Sequence, residues 1–299
     1  MHPSQASRVQ SAAPVTHYEN FPVASVLCPA HLRPAVAAIY HFARTADDLA
    51  DEGDASRDER LRALTTYRSD LLAVTQGQST SNKWPQVFLP LAEIIKRHKL
   101  PLNLLTDLLD AFEQDVCFTF DQRRYANDAE LLDYCRRSAN PIGRLLLHLY
   151  DITDPQALAQ SDQICTALQL INFWQDVSVD LPRQRWYPST EAMHAAGVTD
   201  ADLQPGSHSE SARQLIATYS GNARAKMLKG AQLCHRLPGR AGWELRLVVQ
   251  GGLRILDKIE QLQFATWRTR PRLTTWDVPL MLWRGLRMRP TNSADSGAR

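Results

Sequence analysis

The 299-residue sequence lacks most patterns that would identify a particular chemistry. Its five cysteines form no CxxC pair, which argues against a zinc site or a disulfide framework and is typical of a reducing cytoplasm. A Rossmann glycine pattern, a glycine-rich phosphate loop, an HExxH motif and a serine nucleophile elbow are all missing. The net charge of +2 comes without a basic, aromatic-interleaved stripe, so we expect no nucleic-acid partner.

Long apolar runs are also missing. No window approaches the ~20 apolar residues of a membrane span. Residues 1–16 are polar and lack the apolar centre of a signal peptide. We therefore expect a cytoplasmic protein. The segment 278–288 mixes leucines and a tryptophan with arginines, which predicts either a helix packed on the body or one that rests on the inner face of an anionic membrane.

The apolar residues that are present recur at helical spacing almost throughout. Val36, Ile39, Tyr40 and Ala43 are one example, and alternation of the strand type is absent over any useful length. Polar connectors at 76–83 and 203–211 are too short to divide the chain convincingly. The sequence predicts one all-α domain over residues 17–289, with disordered tails at 1–16 and 290–299.

Two acidic clusters carry the chemical signal. Residues four apart return to nearly the same face of a helix, which aligns the members of each cluster. Such carboxylates repel one another unless a cation lies between them, and Mg²⁺ takes oxygen ligands from one or two carboxylates when a phosphate supplies the rest. Apolar stretches precede both clusters, which places them in the interior. The candidate metal ligands are Asp47, Asp48 and Asp51 in the first cluster and Asn172, Asp176 and Asp180 in the second.

Several motifs in one order resemble the squalene/phytoene synthase family. They are the stretches 17–21, 32–48, 124–143, 167–180 and 185–188. The resemblance runs from about residue 17 to residue 269. It implies antiparallel helices around a deep apolar cavity, the class I isoprenoid synthase fold. The two acidic clusters would face each other at the mouth of that cavity, with Mg²⁺ as cofactor and an isoprenoid diphosphate as substrate.

The resemblance also implies roles for other residues. The catalytic set would be Asp47, Asp51, Asn172, Asp176 and Asp180, which position Mg²⁺ on the diphosphate. Residues that would bind the substrate diphosphate are Arg33, Arg44, Arg183, Arg185 and Tyr187, and those that would line the substrate cavity are His17, Phe21, Tyr40, Gln169 and Gln175.

Two departures from the family pattern resemble its hydroxysqualene synthase branch. Gln175 stands where relatives usually have an arginine, and Arg137 where they tend to have a tyrosine. That branch implies conversion of presqualene diphosphate to hydroxysqualene by loss of pyrophosphate, cation rearrangement and water capture, without NADPH. We predict that Arg137 and Asn140 are catalytic residues that line the cavity and orient the water. Other enzymes of hopanoid synthesis are the expected protein partners.

Three other functions remain open from the sequence. The nearest is head-to-head condensation of two prenyl diphosphates, either of two farnesyl diphosphates to presqualene diphosphate or squalene or by the reaction of a phytoene synthase. A class I terpene cyclase also uses acidic metal motifs, although the match over residues 17–40 does not fit it. A non-catalytic helical assembly factor would be expected to lose metal ligands, and both clusters are complete here.

Overall fold

The computed structural model describes residues 28–290. This part of the chain forms α-helices and short 3₁₀ segments and contains no β-strand, so the predicted all-α class is confirmed. The predicted boundary at residue 17 and the residues His17 and Phe21 lie outside the described residues. The helices are α1 Arg33–Asp51, α2 Arg57–Thr75, α3 Pro85–His98, α4 Leu102–Phe120, α5 Asp128–Ser138, α6 Asn140–Leu149, α7 Pro155–Gln175, α8 Val177–Asp180, α9 Thr190–Ala195, α10 Glu210–Gly230, α11 Gly239–Gln261 and α12 Val278–Arg287.

Local signals in the sequence set several of the helix ends. Ser56 and Glu59 form a capping box at the start of α2, in which each side chain satisfies a free backbone N–H group. The Asp154 carboxylate accepts a hydrogen bond of 2.8 Å from the backbone of Ala157 and caps α7. Pro155 occupies the first position of that helix, where its missing N–H costs nothing.

The hydrophobic core has two adjoining parts. Helices α1 to α4 enclose the first part, where Phe42 and Tyr67 stack with ring centres 5.2 Å apart. Helices α5, α7, α10 and α11 enclose the second, which is built around Trp174. Helix α6 contributes Leu145 to the first part and Leu147 to the second, so it joins the two.

Helix α7 is held closely against α10. A Cβ atom on Gly230 of α10 would lie 2.6 Å from the carbonyl oxygen of Gln160 and 2.7 Å from Cγ1 of Ile164, both on α7. Only glycine permits this approach of the two backbones. One residue before the end of α7, Trp174 stacks on Tyr219 of α10 with ring centres 4.1 Å apart. This packing fixes the end of α7, where the second acidic cluster begins.

Helix α12 packs on α11 through its small residue Gly285, which is buried near Arg246. The 3₁₀ turn Thr275–Asp277 precedes it. Asp277 is buried and binds Arg254 at 2.7 Å and Lys258 at 2.8 Å, which fastens this turn to α11. Within residues 28–290, none of the helices is long and apolar enough to cross a membrane.

Candidate active site

A cavity of about 700 Å³ opens between α1, α4 to α7 and the segment that follows α7. Charged side chains from both acidic clusters lie on one part of its wall, and apolar side chains such as Ile39, Ile142 and Leu146 form another part. Eleven of the predicted site residues lie on this wall: Tyr40, Arg44, Asp47, Asp51, Gln169, Asn172, Asp176, Asp180, Arg183, Arg185 and Tyr187.

The first acidic cluster lies on the last two turns of α1. Asp47 and Asp51 reach the cavity, as their spacing of four predicts. Burial within the protein, followed by the nearby charge of Asp51, raises the pKa of the Asp47 carboxyl group. Arg44 binds Asp47 at 3.3 Å and Asp48 at 2.8 Å. Asp48 is not on the cavity wall, so its placement does not support a role as a metal ligand.

The second cluster differs from the single long helix that the sequence predicts. Helix α7 ends at Gln175, Asp176 has φ −100° and ψ 11°, and the short helix α8 follows to Asp180. Hydrogen bonds of 2.9 Å still join Asp180 to Asp176 and Asp176 to Asn172, so all three keep a helical arrangement and face the cavity. Burial, followed by the charge of Asp176, raises the pKa of Asp180 to about 7.

Arginines pair with carboxylates of both clusters. Arg185 comes from the segment after α8 and donates a hydrogen bond of 3.0 Å to Asp51 at the end of α1. Asp176 accepts two hydrogen bonds from Arg270, at 2.5 and 2.9 Å. Guanidinium groups suit phosphate oxygens as well as carboxylates, so both arginines are chemically able to bind a diphosphate. Tyr187 stacks on Phe173 of α7, with ring centres 3.6 Å apart, which holds the Arg185 segment in place.

Besides Asp48, four predicted site residues do not reach this cavity. Gln175 is buried and donates a hydrogen bond of 2.8 Å to the carbonyl oxygen of Pro271. Arg33 donates to the carbonyl oxygen of Cys28 at 2.9 Å. The prediction that Gln175 lines the cavity is therefore wrong, because its buried side chain binds Pro271 instead, and Arg33 is not placed to bind a diphosphate there.

The predicted water-orienting residues are the other two. Arg137 contacts Asp133 at 3.1 Å and Gln114 at 2.5 Å. Asn140 is buried and accepts a hydrogen bond of 2.9 Å from Thr166. Neither residue lies on the cavity wall. Both residues hold helices together, so the prediction that they line the cavity is wrong.

Three residues near the site are not among the predicted site residues. Arg270 belongs to a basic run at 268–272, far along the chain from its partner Asp176. Tyr134 lies on the cavity wall and donates a hydrogen bond of 2.6 Å to Asp115. Burial raises the pKa of Asp115 to about 6, although this hydrogen bond and the nearby Arg185 oppose the rise. The partners in these pairs are far apart along the chain, so motifs of a few residues do not predict that they meet.

The donor set fits a hard divalent cation such as Mg²⁺. The cavity wall offers carboxylate and amide oxygens and no thiolate or imidazole among the described residues. Oδ1 of Asp51 is buried and accepts no hydrogen bond from residues 28–290, so it is available to a cation. No three acidic, histidine or cysteine side chains in the same range lie close enough to enclose one ion. The arrangement therefore suits ions that take one or two ligands from the protein and the rest from a diphosphate.

A second, apolar cavity of about 120 Å³ adjoins the first. The two share Val36 and Leu146 as wall residues. Its lining is mainly apolar and includes leucines from α6, α7 and α11. A molecule with a charged head and long hydrocarbon chains would suit two adjoining cavities of which one is partly polar and the other apolar.

Comparison with known proteins agrees with this geometry. Residues 15–277 match the model of the squalene/phytoene synthase family. The chain belongs to the squalene/phytoene synthase family. Family membership accounts for the two acidic clusters on one cavity, and it makes the non-catalytic assembly factor and the terpene cyclase unnecessary as explanations.

Individual members of the squalene/phytoene synthase family extend this result. A hydroxysqualene synthase of Zymomonas mobilis is 38% identical over 67% of this chain and 64% of its own length, so the match spans just under two thirds of that relative. A hydroxysqualene synthase of Sinorhizobium fredii is 32% identical over 81% of this chain and 78% of its own length. The crystal structure of the squalene synthase HpnC from Alicyclobacillus acidocaldarius is 33% identical, with a TM-score of 0.73 over 83% of this chain and 90% of that one. The fold is thus that of the isoprenoid synthases.

Proposed function

We propose that this protein converts presqualene diphosphate to hydroxysqualene with the help of Mg²⁺. The observation that carries the proposal is the division of the cavity wall into a part with acidic and arginine side chains and an apolar part. That division suits a substrate with a diphosphate head and hydrocarbon chains. The choice of reaction rests on similarity, since relatives with the name hydroxysqualene synthase are 32–38% identical.

The arginines would bind and orient the diphosphate. Arg44, Arg183 and Arg185 lie on the polar part of the wall, where they lower the energy of the negative charge that builds up as the C–O bond breaks. Bound Mg²⁺, held by Asp47, Asp51, Asn172, Asp176 and Asp180, would supply further stabilisation of the leaving pyrophosphate. Pyrophosphate leaves with the electron pair of the C–O bond, which leaves a cyclopropylcarbinyl cation.

The apolar part of the wall would protect that cation. Side chains such as Ile39 and Ile142 exclude bulk water while the carbon skeleton rearranges. One water then adds its oxygen to the cation and releases a proton, which gives the alcohol without any hydride donor. Gln175 has a supporting role in this scheme. It donates a hydrogen bond to Pro271, which follows Arg270 in the chain, and so helps to hold Arg270 near Asp176.

Condensation of farnesyl diphosphate is the second candidate function. A presqualene diphosphate synthase of Rhodopseudomonas palustris is 26% identical over 85% of this chain. This identity is lower than the 32–38% of the hydroxysqualene synthases, which is why we favour the hydration reaction.

Product analysis separates the two. The purified protein is incubated with Mg²⁺ and either presqualene diphosphate or farnesyl diphosphate, with and without NADPH, and the extracted lipids are analysed by mass spectrometry. We expect hydroxysqualene from presqualene diphosphate only, with no effect of NADPH. Product from farnesyl diphosphate would contradict the proposed substrate.

A matched pair of variants tests the site. Asp51→Asn removes a carboxylate from the cavity wall, and Asp54→Asn changes an exposed carboxylate just beyond the end of α1. We expect a loss of turnover of at least a hundredfold in Asp51→Asn and a change below twofold in Asp54→Asn. Equal rates in the two variants would remove Asp51 from the proposed machinery.

A further inference from the structure

Helix α12 turns an apolar face outwards. Leu282, Trp283 and Leu286 are 45%, 49% and 65% exposed. They lie on one side of the helix, and Gly285, the buried residue of α12, lies near Arg246 of α11. A surface helix usually buries its apolar side and exposes its polar side, so α12 is inverted with respect to that rule.

The apolar surface extends beyond the helix. Trp276, in the turn before α12, is 88% exposed, and Leu273 and Val278 are also exposed. Six of the eleven large apolar side chains that are exposed within residues 28–290 belong to the stretch 273–286. An apolar group of this kind on a folded protein marks a surface that binds something. We call the stretch 272–289 the α12 surface.

The charge of the α12 surface is positive. Arg272, Arg287 and Arg289 are exposed, and Arg287 lies over the ring of Trp283 at 4.1 Å. The acidic residue of this stretch, Asp277, is buried and paired with two basic residues of α11. No carboxylate of the stretch therefore offsets the exposed arginines.

We propose that the α12 surface binds the face of an anionic phospholipid bilayer. Tryptophan and arginine side by side match the boundary between hydrocarbon chains and phosphate groups, where an indole ring and a guanidinium group both find partners. A ten-residue helix is too short to span a membrane, but it can lie flat with one apolar side in the boundary. Helix α12 begins at residue 278, just beyond the region 15–277 that matches the family model, so the match alone does not predict the apolar side of this helix.

The position of the α12 surface relative to the cavities agrees with a lipid partner. Ala241, Leu245 and Val248 of α11 line the apolar cavity. Gly251, on another side of α11, faces Met281 of α12, with 3.5 Å from its ideal Cβ position to the methionine methyl group. Helix α11 thus lies between the apolar cavity and the α12 surface. If the proposed function holds, membrane binding brings the chamber for the hydrocarbon chains within one helix of the lipid phase.

Vesicle flotation with the full chain tests the proposal. Vesicles of phosphatidylcholine and phosphatidylglycerol are compared with vesicles of phosphatidylcholine alone. The variant Trp276→Ser/Trp283→Ser removes two aromatic side chains from the α12 surface, and Leu89→Ser/Leu228→Ser removes two exposed leucines from α3 and α10 as the matched control. We expect the first pair to lower the partition coefficient on anionic vesicles at least tenfold and the control to change it less than twofold.

The charged residues give a second, separate readout. Arg287→Gln/Arg289→Gln should lower binding to anionic vesicles about fivefold for each arginine, and leave the weaker binding to neutral vesicles unchanged. Added salt should reduce the difference between the two vesicle types, because it screens charges at the bilayer surface. Turnover of detergent-dispersed substrate should be unchanged in all these variants, so vesicle binding and the proposed function fail independently.

Three results would overturn the proposal. The first is that the full chain fails to float with anionic vesicles. The second is that the tryptophan variant floats as well as the leucine control. In the third, light scattering shows a dimer that the tryptophan variant converts to a monomer while vesicle binding is unchanged. The α12 surface would then be a contact between two copies of this chain.

Discussion

The contact between α7 and α10 allows one stability prediction to be worked out in detail. Gly230→Ala places a methyl group 2.6 Å from a backbone oxygen and 2.7 Å from a side-chain carbon of α7. Ordinary contact begins at 3.4 Å, so the two helices must separate by several tenths of an ångström. Overpacking of this kind costs about 1–3 kcal/mol.

A second glycine on the same helix supplies the control. Gly221 is exposed, and a Cβ atom there meets no atom within 4 Å. Gly221→Ala gains the helix propensity of alanine, which is worth up to about 1 kcal/mol in a helix interior. Gly230 is the last residue of α10, so the corresponding gain there is smaller. We expect Gly230→Ala to lower the free energy of unfolding by about 2 kcal/mol, and Gly221→Ala to raise it by about 0.5 kcal/mol.

Urea unfolding followed by circular dichroism measures both values, with the slope of the transition as a check that the same surface is exposed. Because α7 also carries Asn172, we expect turnover to fall in Gly230→Ala and to stay unchanged in Gly221→Ala. A Gly230→Ala protein as stable as Gly221→Ala would refute the reasoning, since it would mean that α7 and α10 are not in the close contact described.

Three further predictions concern charge, core and metal. Asp277→Asn should destabilise the protein by about 2 kcal/mol at pH 7, because it removes charge-assisted hydrogen bonds in a buried position. Burial opposes ionisation of Asp277, but hydrogen bonds from Lys258, Thr274 and Arg254 outweigh it and lower the pKa of this carboxyl group. The stabilisation is therefore complete above about pH 4, the ordinary value in an unfolded chain, and the difference from Asp277→Asn in urea midpoint should shrink as the pH falls below that. Trp174→Ala should cost about 3–5 kcal/mol by the same assay, because the side chain is fully buried against α10. Chelation with EDTA should abolish turnover, and Mg²⁺ should restore it, with little change in the urea midpoint.

Each of these predictions has a contrary outcome. A difference between wild type and Asp277→Asn that grows towards acid pH would mean that the pKa of Asp277 is raised rather than lowered. Exposed Trp276 gives the control for Trp174, and equal losses from alanine at both positions would deny the core packing. Full turnover in EDTA would exclude the proposed role of Mg²⁺.

The helices and both acidic clusters could be predicted from the sequence, because helical periodicity and a spacing of four act over a few residues. The same local rule explains why Asp47 and Asp51 face the cavity together. It also explains an error: the rule assumes a straight helix, whereas the backbone bends at Asp176. Partners such as Arg270 could not be predicted, because the chain between them and the cluster has no pattern that fixes their distance.

The residues that depart from the family pattern show a second limit. Gln175 and Asn140 were expected to line the substrate cavity. Both are instead buried and hydrogen-bonded to other parts of the fold. A change of residue type next to a motif reports a change in environment, and the environment can be the wall of a cavity or the packing behind it. Only the three-dimensional positions distinguish the two.

The stretch 270–277 has a consequence for where the protein can be shortened. Arg270 and Pro271 attach its beginning to Asp176 and Gln175, and Asp277 attaches its end to α11. A truncation placed after α11, where the bundle looks finished, would therefore delete part of the support of the second acidic cluster. The smallest version that keeps this support must extend through residue 277, and one that also keeps α12 must extend through Arg287.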